Sequence, residues 1–321
     1  MAIMTIHRDP LRVRKVAVLG AGAVGGYFGA MLARAGMDVA LIGRPIHVEA
    51  IARAGLTVLT ASGTWEVRVR ASTDVETVRD ADVVLVTVKT PDTVGVARTL
   101  APWLRADARI VSMQNGVDNA ARIATILPHP IFAAVVYVGA YMDGPGRVRH
   151  TGRGDLILGV PHALAGRGDT PSDVRTIAAM FEAAGVRCPT SPDIAAALWT
   201  KLTLNAAFNA ISALANTTYG HMAASTPVRA VMEDAIREVV AVARADDVAL
   251  DAEELIDAAW KLAAAMAQQY SSTAQDMQRG KPTEVDALNG YVAQRGAELS
   301  VPTPVNRTLH ALIKLREIVS V

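Results

Sequence analysis

Lys201, Asn205 and Asn209 recur at every fourth residue of the run Ala197-Leu198-Trp199-Thr200-Lys201-Leu202-Thr203-Leu204-Asn205-Ala206-Ala207-Phe208-Asn209. Spacing of i, i+4 and i+8 sets them along one helical stripe. Leu198, Trp199, Leu202, Leu204 and Phe208 around them are apolar, so the helix is expected to be largely buried, and a buried ammonium needs a partner or a function. A solvated polar edge is the plainer explanation, but asparagines are poor helix formers and odd choices for a face that only has to be wet. A lysine in this setting can stabilise a developing oxyanion and deliver a proton to it. Asparagines beside it can donate hydrogen bonds to a carboxylate or hydroxyl without adding charge.

A second chemistry-bearing run is Val16-Ala17-Val18-Leu19-Gly20-Ala21-Gly22-Ala23-Val24-Gly25-Gly26, a Gly-x-Gly-x-x-Gly pattern after an apolar strand and at the start of a helix. Gly20 permits a tight turn, Gly22 lets backbone approach a pyrophosphate, Gly25 allows close helix packing, and the helix start attracts the anion. Ala21, Ala23 and Val24 complete this cofactor-binding loop. A glycine-rich turn without a ligand is the bland alternative, and a strand and helix in register argue against it. The next strand ends in Gly43-Arg44, where NAD-binding proteins place an Asp or Glu for the ribose 2′-hydroxyl. Gly43 removes an anion that would repel a 2′-phosphate and Arg44 can grip one bidentately, so the expected cofactor is NADPH. Lys89 and Asn115-Gly116 follow later strands at the same carboxyl edge, where ligands collect, and are expected to touch cofactor or substrate. An exposed lysine and an Asn-Gly turn are the simpler uses of those residues.

These groups need a scaffold. From about residue 13 to 187 short β-rich runs alternate with helical patterns, the rhythm of βαβ units and a parallel sheet. Strands are expected at 16–19, 38–42, 83–88, 110–112 and 131–136, a helix at 24–35 closed by Gly36, a hairpin at 57–60 and 65–69, and a meander at 140–160. After Pro189, helical patterns at 193–216, 227–246, 252–277, 283–300 and 304–318 follow without a strand between them. The expected fold class is an α/β N-terminal Rossmann-type dinucleotide-binding domain followed by an all-α C-terminal domain. The divisions are a flexible leader at 1–14, an NADPH-binding domain at 15–190 and a helical substrate and catalytic domain at 191–321, joined by a linker at 188–192 and sharing a cleft. A chain of 321 residues is long enough for two cores.

Composition narrows the partners. Hydrophobic residues make up 51% and charged residues 20%, and Lys+Arg 32 against Asp+Glu 31 leave a net charge of +1. That balance excludes intrinsic disorder and a broad polybasic surface, so nucleic acid is not an expected partner. Four Phe, six Tyr and four Trp are too few for base-stacking platforms. The apolar run 195–215 contains Lys201, and a lysine at a bilayer centre costs about 2.5–3.5 kcal/mol, so no membrane span is expected. The basic opening segment lacks a small-residue cleavage site, and the single cysteine, Cys188, can close no intrachain disulfide; both fit the cytoplasm. Seven scattered histidines with no carboxylate cluster imply no metal.

Ser271-Ser272-Thr273 interrupts an alanine-rich helical pattern, with hydroxyls that either face a cleft or back-bond one turn earlier. Glu284 follows Pro282-Thr283 at an expected helix start, with Thr283 as N-cap and a carboxylate that either favours the helix dipole or serves a site. Taken in order, the glycine loop, Arg44, Val88-Lys89, Gln114-Asn115-Gly116, the Trp199-to-Asn209 stripe, Ser271-Ser272 and Thr283-Glu284-Val285-Asp286 resemble the ketopantoate reductases, NADPH-dependent enzymes of pantothenate biosynthesis, over about residues 15–315. The resemblance implies reduction of 2-dehydropantoate to pantoate, with Lys201 as proton donor and Asn205, Asn209 and Ser272 on the keto acid. It also implies that Asn115 contacts cofactor or substrate, that Glu284 does so and serves catalysis, and that Lys89 and Ala140 occupy cofactor-contacting positions. A homodimer is compatible with it, although the resemblance does not fix the oligomeric state.

The chain departs from the pattern at Asn216-Thr217-Thr218-Tyr219-Gly220, where Tyr219 stands in place of an asparagine that helps hold substrate in many relatives. That change bears on the substrate more than on the reaction. Competing readings are a paralogous reductase of another 2-oxo acid, a non-catalytic NADPH-binding sensor, and a dehydrogenase oxidising a 3-hydroxy acid. Retention of Lys201 and Glu284 argues against the sensor, and Arg44 with the helix spacing argues against the dehydrogenase.

Overall fold

The computed structural model describes residues 13–167 and 170–319, so residues 1–12 of the expected leader lie outside the described residues. Nine strands form one mixed sheet: β1 Lys15–Leu19, β2 Asp38–Ile42, β3 Leu56–Thr60, β4 Gly63–Val67, β5 Arg70–Ser72, β6 Val83–Val86, β7 Arg109–Ser112, β8 Ile131–Met142 and β9 Arg147–Gly159, in the order β4-β3-β9-β8-β7-β6-β1-β2-β5. From β5 through β2, β1, β6 and β7 to β8 the pairing is parallel; β9 returns antiparallel to β8 and carries the β3–β4 hairpin on its far side. Helices α1 Ala23–Arg34, α2 Pro45–Ala54, α3 Thr93–Leu100, α4 Asn119–Ala124 and α5 Pro171–Ala183 accompany this sheet.

The central strands are mostly apolar because both faces of a parallel sheet are covered. Every residue of β6 is buried, as are Val16 to Leu19 of β1. Val16, Val18, Leu41 and Leu85 join Phe28 and Leu32 of α1 and Ile177 and Phe181 of α5 in one cluster, with the Phe28 and Phe181 rings edge-to-face at 6.1 Å. β6 stops at Val86, short of the expected 83–88. Thr87 explains this: its backbone N–H still bonds to Leu19, but its hydroxyl turns to the Leu19 and Gly20 carbonyls at 3.0 and 2.9 Å, and the chain leaves the sheet there.

The remaining helices are α6 Ile194–Ala215, α7 Tyr219–Ala224, α8 Thr226–Ala245, α9 Ala252–Ala265, α10 Ser272–Gln278, α11 Asn289–Glu298 and α12 Pro304–Val319. Three apolar clusters surround α6. Trp199, Leu202 and Ala206 meet Val239 and Val242 of α8 and Val292 of α11; Phe208 meets Tyr219, Met232 and Ile236; Ala210 and Ala213 meet Ala274, Val285, Leu309 and Ile313. Burying a side chain the size of Leu202 or Phe208 is worth about 1.5–3 kcal/mol, so α6 is the axis around which these helices are held.

Two expected helices are broken, for the same physical reason. The pattern at 252–277 divides into α9 and α10, because the buried Ser271 uses its side chain on the backbone. Its Oγ accepts from Ala274 N at 3.0 Å and donates to Asn209 O at 3.1 Å, and its own N–H donates to Ser212 Oγ at 3.1 Å. A serine satisfied this way starts a helix rather than continuing one. The pattern at 283–300 opens instead with a short 3-10 turn, Val285–Ala287, and α11 starts only at Asn289. Thr283 does not cap an α-helix: its hydroxyl donates to Glu317 Oε1 at 2.7 Å and accepts from Val285 N at 3.3 Å.

The described residues form two compact units, one running to Gln114 and from Asp118 to Ile194, the other comprising Asn115–Val117 with the residues from Ala195 onward. No helix of the described residues is long and apolar enough to cross a membrane.

Cys188 is buried in the first unit, and burial, reinforced by the Glu182 carboxylate, pushes its thiol up to about 12. At pH 8 the reactive thiolate is therefore scarce as well as inaccessible. We expect no alkylation of native protein by iodoacetamide over an hour and complete alkylation in denaturant; rapid labelling of the folded protein would contradict this packing.

Candidate active site

In the first unit the glycine loop joins the end of β1 to α1. Gly20 has φ +112°, and a Cβ there would lie 2.8 Å from Thr87 Oγ1, so both backbone and space demand glycine. A Cβ on Gly25 would run into the Gly20 carbonyl, which is how α1 packs so tightly on the loop. At Gly22 a Cβ would meet nothing within 4 Å: this glycine faces open space. Gly22 is also the N-cap of α1 and supplies no side-chain cap to the first-turn amides of Ala23 and Val24. Gly20 N and Ala21 N both donate to Ile42 O, at 2.9 and 3.1 Å, tying the loop to the end of β2.

That tie brings Gly43 against Ala21. A Cβ at Gly43 would stand 2.5 Å from Ala21 Cβ, so the position where an acidic side chain would reach a ribose cannot hold any side chain without rearrangement. Arg44 follows as the exposed N-cap of α2, with Pro45 in the first helical position, and its guanidinium has no ion pair among the described residues. Lys89 is half-buried at the start of the short turn Thr90–Asp92. Beneath that turn Gln114 Nε2 donates to Thr93 Oγ1 at 2.7 Å, and Asn119 Nδ2 donates to Thr90 Oγ1 at 3.3 Å, a buried polar brace. Ala140 lies on β8 opposite His150, immediately after an irregularity in the β8–β9 register.

The second unit assembles the other candidates. Lys201 Nζ donates to Asn115 Oδ1 at 2.8 Å, and Asn115 Nδ2 donates to Glu284 Oε2 at 2.8 Å. The amide has one acceptor and one donor end, so these two bonds together fix which way it points. An ammonium, an amide and a carboxylate thus form one chain, with Asn115 standing between the two charged groups. One and two turns along α6, Asn205 is half-buried and Asn209 is buried, with Asn209 Nδ2 3.4 Å from Ser272 Oγ. Ser272 is exposed at the first position of α10, whereas Ser271 is spent on the backbone as described.

Several contributors were beyond sequence reasoning. Thr87 is one polar residue in a Val-Thr-Val run and gives no local hint that it pins the glycine loop. Asn289 is fully buried, donating to Ala206 O at 3.0 Å and Asn306 Oδ1 at 2.9 Å, and so braces α6 from behind the stripe. Glu238 closes the same network by accepting from Val305 N and Asn306 N at 2.8 and 2.9 Å. Tyr219 is a core residue: its ring packs on Phe208 at 4.4 Å, and burial pushes its phenol up to about 12. Among the described residues no group of three or more His, Cys, Asp or Glu could hold a metal ion.

Comparison with known proteins identifies the family. Residues 16–162 match the family model described as ketopantoate reductase PanE/ApbA, and residues 193–317 match its C-terminal counterpart. The 2-dehydropantoate 2-reductase of Halobacterium salinarum is 34% identical over 94% of this chain and 99% of that protein. The crystal structure of a PanE/ApbA family ketopantoate reductase from Ralstonia eutropha JMP134 superposes with a TM-score of 0.88 at 46% identity, covering 95% of this chain and 99% of that one. A ternary structure of D-mandelate dehydrogenase with NADH and anilino(oxo)acetate, at 23% identity and TM-score 0.88 over 95% and 99% of the two chains, shares the fold. An N-terminal Rossmann-type α/β region, an all-helical C-terminal region and two family matches spanning both place this chain in the ketopantoate reductase family of oxidoreductases.

Proposed function

We propose that the protein reduces 2-dehydropantoate to pantoate with NADPH, the first unit binding the cofactor and the second the keto acid, in the reducing environment of the cytoplasm. The observation that carries this reading is the hydrogen-bonded chain from Lys201 through Asn115 to Glu284. The residues fit a phosphorylated dinucleotide: the open face of Gly22 and the uncapped start of α1 suit a pyrophosphate, and Arg44 beside a side-chain-free Gly43 suits a 2′-phosphate. Lys89 and Ala140 are the further cofactor contacts of this proposal. When bound, the reduced nicotinamide supplies the hydride that the substrate's carbonyl carbon accepts.

This chain's own residues do the rest. As hydride arrives, the carbonyl oxygen gains charge, and Lys201 Nζ offers it first a positive charge and then a proton. Asn115 holds Nζ through its Oδ1, limiting the rotation of a long flexible side chain, and Glu284 holds Asn115 in turn. Asn205, Asn209 and Ser272 supply neutral donors for the carboxylate and hydroxyl of the substrate. Reduction of a different 2-oxo acid is the second reading, favoured by Tyr219, whose burial against Phe208 leaves an aromatic core residue where many relatives present an amide. Absorbance decay of NADPH, with NADH in parallel, against 2-dehydropantoate and a panel of 2-oxo acids separates the two.

Arg44→Ala should weaken NADPH binding by roughly tenfold to a hundredfold, the value of a lost charge-assisted hydrogen bond, while NADH binding stays the same. Equal loss for both cofactors would remove the 2′-phosphate role. Lys201→Ala should lower kcat by about 10²- to 10⁴-fold with NADPH affinity near wild type, because the glycine loop and Arg44 belong to the other unit. Near-normal kcat would eliminate Lys201 as proton donor. Asn209→Ala should mainly raise KM, and an unchanged KM in folded protein would leave Asn209 with only its packing role.

A further inference from the structure

Glu284 sits in a segment that is anchored on both sides by α12. On one side Glu317 Oε1 accepts both the Thr283 N–H, at 2.9 Å, and the Thr283 hydroxyl, at 2.7 Å. On the other, Asp286 is held by His310 Nε2 at 2.6 Å and Lys314 Nζ at 2.9 Å. Lys314 also reaches Glu317 Oε2 at 2.8 Å, so one ammonium joins the two anchors. His310, Lys314 and Glu317 fall on one face of α12, and between the anchors Val285 is buried with Leu309 and Ile313. With Thr283 and Val285 turned inward, the intervening Glu284 is left to meet Asn115.

Glu317 is an odd residue to find there. It lies in the last described turn of α12, where a negative charge opposes the helix dipole. Burial pushes its carboxyl up, yet Lys314 and the two Thr283 bonds outweigh burial and hold it below the ordinary glutamate value. The carboxylate is therefore ionised and engaged at neutral pH, and its engagement is with the residue next to Glu284.

We propose that Glu317 is a positioning residue, which through Thr283 fixes the backbone of Glu284 and so the orientation of Asn115 and Lys201. The proposal rests on the reading of those three residues as the reacting cluster. Glu317→Ala should lower kcat about tenfold with KM within about twofold, the scale of a small misplacement of catalytic groups. Glu317→Gln keeps an oxygen able to accept both Thr283 bonds and should recover most of the activity. Arg316→Met, an exposed substitution on α12 outside both anchors, should keep near-normal kcat.

The deciding measurement is a double-mutant cycle with Glu284→Ala. If Glu317 acts through Glu284, the double variant turns over no more slowly than Glu284→Ala alone; independent, multiplying losses would overturn the proposal. Should Glu317→Ala fold poorly, Thr283→Val removes the hydroxyl half of the clamp and enters the same cycle. Amide hydrogen exchange provides a readout independent of turnover: the 283–288 segment should exchange faster in Glu317→Ala than in wild type and Glu317→Gln. Unchanged exchange would overturn the positioning role, whereas absent turnover in wild type with faster exchange in the variant would fault the reductase reading alone.

Discussion

The apolar clusters packed along α6 leave the stripe of Lys201, Asn205 and Asn209 as its polar face, and a half-buried charge there needs a partner. Lys201 is the charge, and Asn115 is what meets it. The rest of the second unit follows from that requirement. Asn115 needs its own orientation fixed, which Glu284 does; Glu284 needs a fixed backbone, which the Thr283 and Asp286 anchors give it; and α6 needs to stay straight and still, which the Asn289, Asn306 and Glu238 network secures by bonding to its carbonyl at Ala206 and to the start of α12. Each layer is polar and hydrogen-bonded, which offsets the cost of burying these groups in an apolar setting.

The sheet divides its labour between its two edges. At the amino edge Asp82 accepts from Arg14 N and Lys15 N, both at 2.9 Å, and from Arg105 at 2.9 Å. Burial pushes this carboxyl up, but those bonds prevail and hold it below the ordinary aspartate value, as expected of a group spent on structure. The carboxyl edge carries instead Gly20, Gly22, Gly43 and Thr87, of which Gly20 and Gly43 are closely packed and Gly22 faces open space.

Local patterns were legible in the sequence and long-range ones were not. The parallel sheet, the glycine loop and the long α6 follow from periodicity and from residues that are neighbours in the chain, and the stripe of Lys201, Asn205 and Asn209 needs only the helical repeat. The division of the 252–277 pattern could not be read, because its cause is a set of hydrogen bonds from Ser271 to Asn209 and Ser212, groups distant in sequence. The same holds for Asn115: the sequence attaches it to the end of a strand, yet it packs with the helices of the second unit, between a lysine and a glutamate that come much later in the chain. Thr283 looked like a helix cap because capping residues and clamped residues share a side chain, and only the position of Glu317 distinguishes the two.

The contact between Gly43 and Ala21 has an evolutionary reading. Because a Cβ at 43 would lie 2.5 Å from the Cβ at 21, the two positions cannot change independently. An acidic residue at 43, the usual route to a non-phosphorylated dinucleotide, becomes sterically accessible only in a lineage whose residue 21 has already become glycine or whose loop has shifted. The order of substitutions is thereby constrained: the change at 43 is strained until the methyl at 21 is gone or the loop has shifted. In this chain the methyl of Ala21 thus bars a side chain at 43 from arising by a single substitution.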